Sequence, residues 1–119
     1  MRNIIQAFAT AALAFLNHVD AKHNLDNGIM ILNESNFDET LSTFDHLLVE
    51  FYAPSCVPCM ALAPKYEAAA KTLWKEGSKV TLAKVDGEKN PGLIERFEIR
   101  SYPYLLWFSE GTSTDFDGG

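Results

Sequence analysis

Leu47-Leu48-Val49-Glu50-Phe51-Tyr52-Ala53-Pro54-Ser55-Cys56-Val57-Pro58-Cys59 is the stretch on which the reading of this 119-residue chain turns. Residues 47–52 are apolar at both alternating sets of positions, the pattern of a strand covered on both faces. Glu50 alone interrupts it. The chain then reads as a helix over 57–75. Leu62, Tyr66, Ala69 and Leu73 recur at spacings of four, three and four, which is one helical face. Pro58 stands in the first turn, where its missing N–H would be unpaired anyway. Pro64 predicts a kink and Gly77 a stop. Two cysteines three apart therefore fall at a junction from strand to helix.

Working outward, residues 29–32 form a short apolar run after Asn27-Gly28, a strand signal. Ser35 reads as the N-cap of a helix to about Ser42, with Asp38 and Glu39 in its favourable first turn. Strands are expected over 80–85, 104–108 and 112–116, a short helix over 91–97, and a turn at Glu110-Gly111. Strands alternating with helices and closing on two successive strands predict an α/β sandwich with a mixed sheet. Phe51, Tyr52, Phe97, Trp107 and Phe108 are expected in its core.

Composition narrows the function. The chain is 47% hydrophobic and 22% charged, as an ordinary globular domain is. Its formal charge of -6 argues against nucleic acid as a partner, since phosphates call for a basic face. Lys and Arg do not cluster into a basic membrane patch. Met1-Arg2-Asn3, an apolar run over 4–16 and Val19-Asp20-Ala21 have the layout of a secretory signal peptide. The run is too short for a membrane span, which needs about 20 residues. The expectation is a signal peptide over 1–21 and one domain over 22–119.

Two cysteines allow one disulfide or one reactive dithiol. At the head of a helix the first sulfur would lie near unpaired N–H groups and the positive end of the helix dipole. Both stabilise a thiolate, which is the nucleophile. The second thiol, one turn on and more buried, could resolve the mixed disulfide. Two other readings stand beside this one. A structural disulfide would gain little from so small a loop. A zinc site would need two more ligands, and His18, His23 and His46 show no paired ligand spacing.

The segment 48–66, with Ala83-Lys84-Val85-Asp86 and Ile99-Arg100-Ser101-Tyr102-Pro103 after it, resembles the catalytic domain of the protein disulfide isomerase family. Three motifs recur in order over about residues 29–119. The resemblance implies a thioredoxin fold: a central mixed sheet flanked by helices. It implies a thiol–disulfide oxidoreductase acting on unfolded or disulfide-containing client proteins in the endoplasmic reticulum lumen. No metal or other cofactor is implied beyond the redox-active Cys56–Cys59 pair, which would exchange with glutathione or protein thiols. Neither nucleic acid nor stable membrane insertion is expected.

The resemblance also assigns roles. Cys56 attacks and Cys59 resolves. Glu50 is the buried proton acceptor beneath Cys59, with Lys84 as its partner. Arg100 approaches the second cysteine and lowers its pKa. Pro103 is cis and, beside Tyr102, helps to place substrate backbone. Two departures fall at the dithiol: Ser55 stands where the family usually has Trp, and Val57-Pro58 where it usually has Gly-His. Loss of that His should make the couple less oxidising. The family also adds a final helix after the equivalent of residue 119, so a C-terminally truncated domain, a fragment or short isoform, is expected. Asn33-Glu34-Ser35 is an N-glycosylation sequon. The competing functional readings are a non-catalytic chaperone or client-binding module and an inactive truncated isoform.

Overall fold

A computed structural model describes residues 24–116. The elements run β1 (Asn24–Asp26), β2 (Ile29–Leu32), α1 (Phe37–Thr43), β3 (His46–Tyr52), α2 (Val57–Lys75), β4 (Val80–Asp86), α3 (Pro91–Arg96), β5 (Tyr104–Ser109) and β6 (Thr112–Asp115). The expected signal peptide over 1–21 lies outside the described residues.

One six-stranded sheet has the order β1-β2-β4-β3-β5-β6. Its centre, β2-β4-β3, is parallel, and β5 joins β3 antiparallel. The outer strands β1 and β6 are antiparallel hairpin partners of β2 and β5. Burial on both faces explains why β3 reads as continuous apolar sequence: Leu47 to Phe51 are all buried.

Alternation along the strands divides the core into two layers. Met30, Leu32, Val49, Phe51, Val85, Leu106 and Phe108 meet Phe37 of α1 and Leu93 of α3 on one face. Ile29, Leu48 and Leu82 meet Tyr66 and Ala70 of α2 on the other, with Leu62, Leu73, Leu105 and Trp107 packed alongside. The Tyr66 hydroxyl donates to the carbonyls of Leu48 and Ala83, at 2.9 and 2.8 Å, and ties α2 to β3 and β4.

Three local expectations need correction. The strand β1 was not anticipated, although Asn27-Gly28 is a hairpin signal; both residues have positive φ, 53° and 83°, as a tight turn of this kind requires. Asn36, not Ser35, occupies the N-cap of α1. Ser35 instead gives its N–H and hydroxyl to the Asn33 side chain, so the turn is closed one residue later. Along α2 it is Ala70 that is buried, while Ala69 is exposed. The expected face is otherwise kept, with Tyr66 buried and Leu62 and Leu73 packed beside it. Pro64 sits within α2 without ending it, and Gly77, at φ 66°, follows its last turn.

Candidate active site

Strand β3 runs directly into the dithiol. Beyond Tyr52 the chain turns, with the Cys56 N–H donating to the Ala53 carbonyl at 3.1 Å. Cys56 is the N-cap of α2, in extended conformation. Its Sγ accepts a hydrogen bond from the Cys59 N–H at 3.1 Å, one of the donors that a helix start leaves unpaired. Pro58 removes the N–H one residue earlier, so the Cys59 amide serves the sulfur. Cys56 and Cys59 form a disulfide, with Cα atoms 5.2 Å apart. The two sulfurs differ in access: Cys56 is half-buried, whereas Cys59 is 5% exposed. Around Cys56 the surface is apolar, with Val57 72% and Met60 57% exposed.

Glu50 lies two residues beyond Leu48 on the same sheet face, under α2. It is 4% exposed. Burial, the larger effect, raises its carboxyl above the ordinary value of 4.5, and the Lys84 charge acts in the other direction. Lys84 stands directly across from Glu50 in the parallel register. Its ammonium, however, bonds the Asp26 carboxylate at 2.7 Å, on the opposite side of β4 from Glu50. The expected Glu50–Lys84 pair is thus corrected: Lys84 acts on Glu50 through its field, and its ion-pair partner is Asp26. Lys84 Nζ also stands 5.7 Å from the centroid of the Tyr52 ring. Tyr52 is pushed up by its own burial first, then by the Asp86 charge.

Tyr102 and Pro103 reach the same end of the sheet. Tyr104, the next residue, pairs with Phe51 of β3. The Tyr102–Pro103 peptide bond is cis. The Tyr102 ring lies flush against Gly87, where a side chain of any kind would collide with it. Arg100 is exposed in the loop leading to Tyr102. Asn33 is exposed in the β2–α1 turn, on the face covered by α1 and α3. An acidic concavity lined by Asp38, Asp45 and Glu110 opens at the other end of the sheet, away from the dithiol.

Sequence reasoning missed two residues here. Asp26 gave no signal, because its role depends on strand pairing across β2. Gly87 gave none either, since its empty space is meaningful only once Tyr102 fills it. Among the described residues no group of three or more His, Cys, Asp or Glu could hold a metal, and no helix is long and apolar enough to cross a membrane. What the arrangement offers is a disulfide with one approachable sulfur, one shielded sulfur and a buried carboxylate on the strand that leads to it.

Comparison with known proteins agrees with that chemistry. Residues 28–119 match the family described as Thioredoxin. Over 91 residues the chain is 50% identical to protein disulfide-isomerase 1 of Caenorhabditis elegans, covering 76% of this chain and 19% of that protein. It is 35% identical over 119 residues to the protein disulfide-isomerase of Drosophila melanogaster, covering 100% of this chain and 24% of that one. The first thioredoxin domain of mouse protein disulfide-isomerase A4 superposes with a TM-score of 0.76 at 35% identity, covering 84% of this chain and 71% of that structure. The chain therefore spans about a fifth of the length of the curated relatives it matches. A match that begins in the β1–β2 turn and continues through every later element of the sheet leaves one assignment: the chain belongs to the thioredoxin family.

Proposed function

We propose that this chain is a thiol–disulfide oxidoreductase of the protein disulfide isomerase type, acting on the disulfides of client proteins in the endoplasmic reticulum lumen. The observation that carries the proposal is the asymmetric dithiol, in which Cys56 Sγ takes a helix N-terminal N–H while Cys59 is shielded. In the reduced form the Cys56 thiolate attacks a client disulfide. One client sulfur leaves as a thiolate and the other stays in a mixed disulfide with Cys56. Cys59 then gives its proton to Glu50, and its thiolate attacks Cys56, releasing the second client thiolate. The client gains the two electrons that the dithiol loses; run backwards, the same steps oxidise client thiols. Glutathione or protein thiols supply or remove those electrons.

Arg100, from the loop before Tyr102-Pro103, stabilises the Cys59 thiolate, and the cis Pro103 with Tyr102 aligns client backbone. Val57 and Met60 offer the apolar rim on which an unfolded client docks. Entry to the lumen rests on the signal layout of residues 1–21, and the sequon at Asn33 is the candidate glycosylation site. N-terminal mass spectrometry of secretory-pathway material should find Lys22 first, and an intact Met1 would overturn the export reading.

Insulin-disulfide reduction by the full chain tests the activity. Turnover lost in Cys56→Ser is the expected result. The chaperone reading expects peptide binding without turnover in the unaltered chain, an outcome that would sink the enzyme proposal.

A further inference from the structure

Lys84 makes its ion pair with Asp26 on the edge strand β1, on the other side of β2. Three residues share one row across the sheet, Glu50, Lys84 and Ile31, and Asp26 lies on the same face beside Ile29, two residues back along β2. Glu50 is on β3, Lys84 on β4, Ile31 on β2 and Asp26 on β1. Lys84 reaches over Ile31 to bond Asp26 at 2.7 Å, away from Glu50. Its side chain is 19% exposed and that of Asp26 46%, so the pair runs from the core to the edge of the sheet.

We propose that Asp26 is a positioning residue for the resolving step: by holding the Lys84 ammonium toward the sheet edge, it withholds that charge from Glu50 and leaves Glu50 a base able to take the Cys59 proton. The inference rests on the reading of Glu50 as that acceptor. The step it governs is the transfer in which Cys59–SH gives its proton to the Glu50 carboxylate. The Cys59 thiolate then forms its bond to Cys56 as the client sulfur leaves with the electron pair.

The physical argument is one of competing fields. A buried carboxylate beside an unshared ammonium is held ionised and becomes a poor proton acceptor. A carboxylate on the far side of that ammonium cancels part of its field and fixes its position. The other charged and titratable groups around Glu50 do not provide this. On β3, Tyr52 lies under Lys84 as a neutral ring. Asp86, at the end of β4, is tied to the backbone N–H groups of Glu88 and Lys89. On α2, Tyr66 spends its hydroxyl on two carbonyls, and Cys59 is the proton donor itself. On β5, the register partner Leu105 is apolar. Asp26 is thus the anion among the described residues that engages Lys84 directly.

Single-turnover stopped-flow kinetics on the full chain, across the pH range, separate mixed-disulfide formation from its resolution. Asp26→Asn should slow resolution near neutral pH by roughly two- to fivefold, a fraction of the about 10²–10⁴ that a placed acid–base group supplies. It should also move the acid limb of the profile to lower pH, so that the two curves converge or cross in acid. A structural defect would lower the rate alike at every pH. Asp26→Glu, which can still reach Lys84, should restore the unaltered profile. In a Glu50→Ala background, Asp26→Asn should change nothing further. Resolution slowed equally at all pH values, or slowed just as much without Glu50, would overturn the proposal. So would an unchanged profile in Asp26→Asn when Glu50→Ala alone slows resolution, and the acceptor reading would then survive. If Glu50→Ala itself leaves resolution untouched, the acceptor reading fails and the role of Asp26 falls with it.

Discussion

Pro58 and Glu50 set the chemistry of the dithiol from opposite sides. Reduction is favoured to the extent that the Cys56 thiolate is stabilised, and Pro58 has neither charge nor N–H to offer it. The Cys59 amide and the helix N-terminus are left to do so. Placing an imidazolium at this position should stabilise the thiolate and make the couple more oxidising. Pro58→His is expected to raise the potential by about 30 mV, the equivalent of about 1.4 kcal/mol for a two-electron couple. Equilibration against glutathione measures it, and an unchanged or lower potential would remove the electrostatic role of Pro58. Glu50 carries a stability signature as well. Burial raises its folded-state pKa above the ordinary 4.5, with Lys84 opposing. The stability contributed by the protonated form is therefore full below that ordinary value and is lost as pH rises through the raised one. Glu50→Gln escapes the loss. Its melting temperature relative to the unaltered chain should be higher at about pH 8 than at about pH 4. A difference that does not vary with pH would contradict the burial argument.

At the scale of elements, α2 is aimed by its contacts with the sheet as much as by its own sequence. Only Cys59, Tyr66 and Ala70 along its nineteen residues are buried. Tyr66 is the polar anchor. Burial, with the Glu50 charge adding to it, pushes its hydroxyl well above the usual tyrosine range, so it remains a donor to the two strand carbonyls. Removing one buried hydrogen-bonding partner costs about 1–3 kcal/mol. Tyr66→Phe should lower stability by about that amount in denaturant titrations, with little change in the slope of the transition. It should also loosen the register between the dithiol and the strand that carries Glu50, which mixed-disulfide kinetics would detect. Stability within error of the unaltered chain would show that the two carbonyls do not need the hydroxyl.

At the scale of the whole molecule, the two layers of core are unequal. The layer under α1 and α3 holds an aromatic group in which Phe108 meets Phe37 and Phe97 edge-on, with ring centroids 5.7 and 5.5 Å apart. Phe51 joins through Phe97 at 5.9 Å. This group binds β3 and β5 to both helices. Truncating a buried Phe costs about 3–5 kcal/mol, a large share of the about 5–15 kcal/mol that holds a domain folded. Phe108→Ala is therefore expected to leave much of the chain unfolded at 37 °C, seen as lost near-ultraviolet dichroism. A folded variant with an unchanged denaturation midpoint would mean that the aromatic group is not the stabilising centre. Among the described residues the α2 layer holds no buried phenylalanine, and its Leu105 and Trp107 are half-buried.

Much of this was legible in the chain itself. Apolar runs marked β2 and β3 and helical periodicity marked α2, because the pattern of apolar residues is a local property that follows from which faces are buried. The C-x-x-C at a junction from strand to helix, together with the resemblance that surrounds it, was likewise enough to mark the dithiol. What needed tertiary structure was every feature set by a neighbour distant in sequence. β1 has too few residues to show a period, and exists by pairing with β2. The emptiness of Gly87 has meaning only against Tyr102. The partner of Lys84 was misjudged for the same reason. Glu50 and Asp26 are both carboxylates within reach of β4, and nothing in their local sequence says which one the ammonium will take. Burial decided it: at the sheet edge the ammonium and the Asp26 carboxylate pair while keeping part of their hydration, whereas pairing with Glu50 beneath α2 would strip the ammonium of its water.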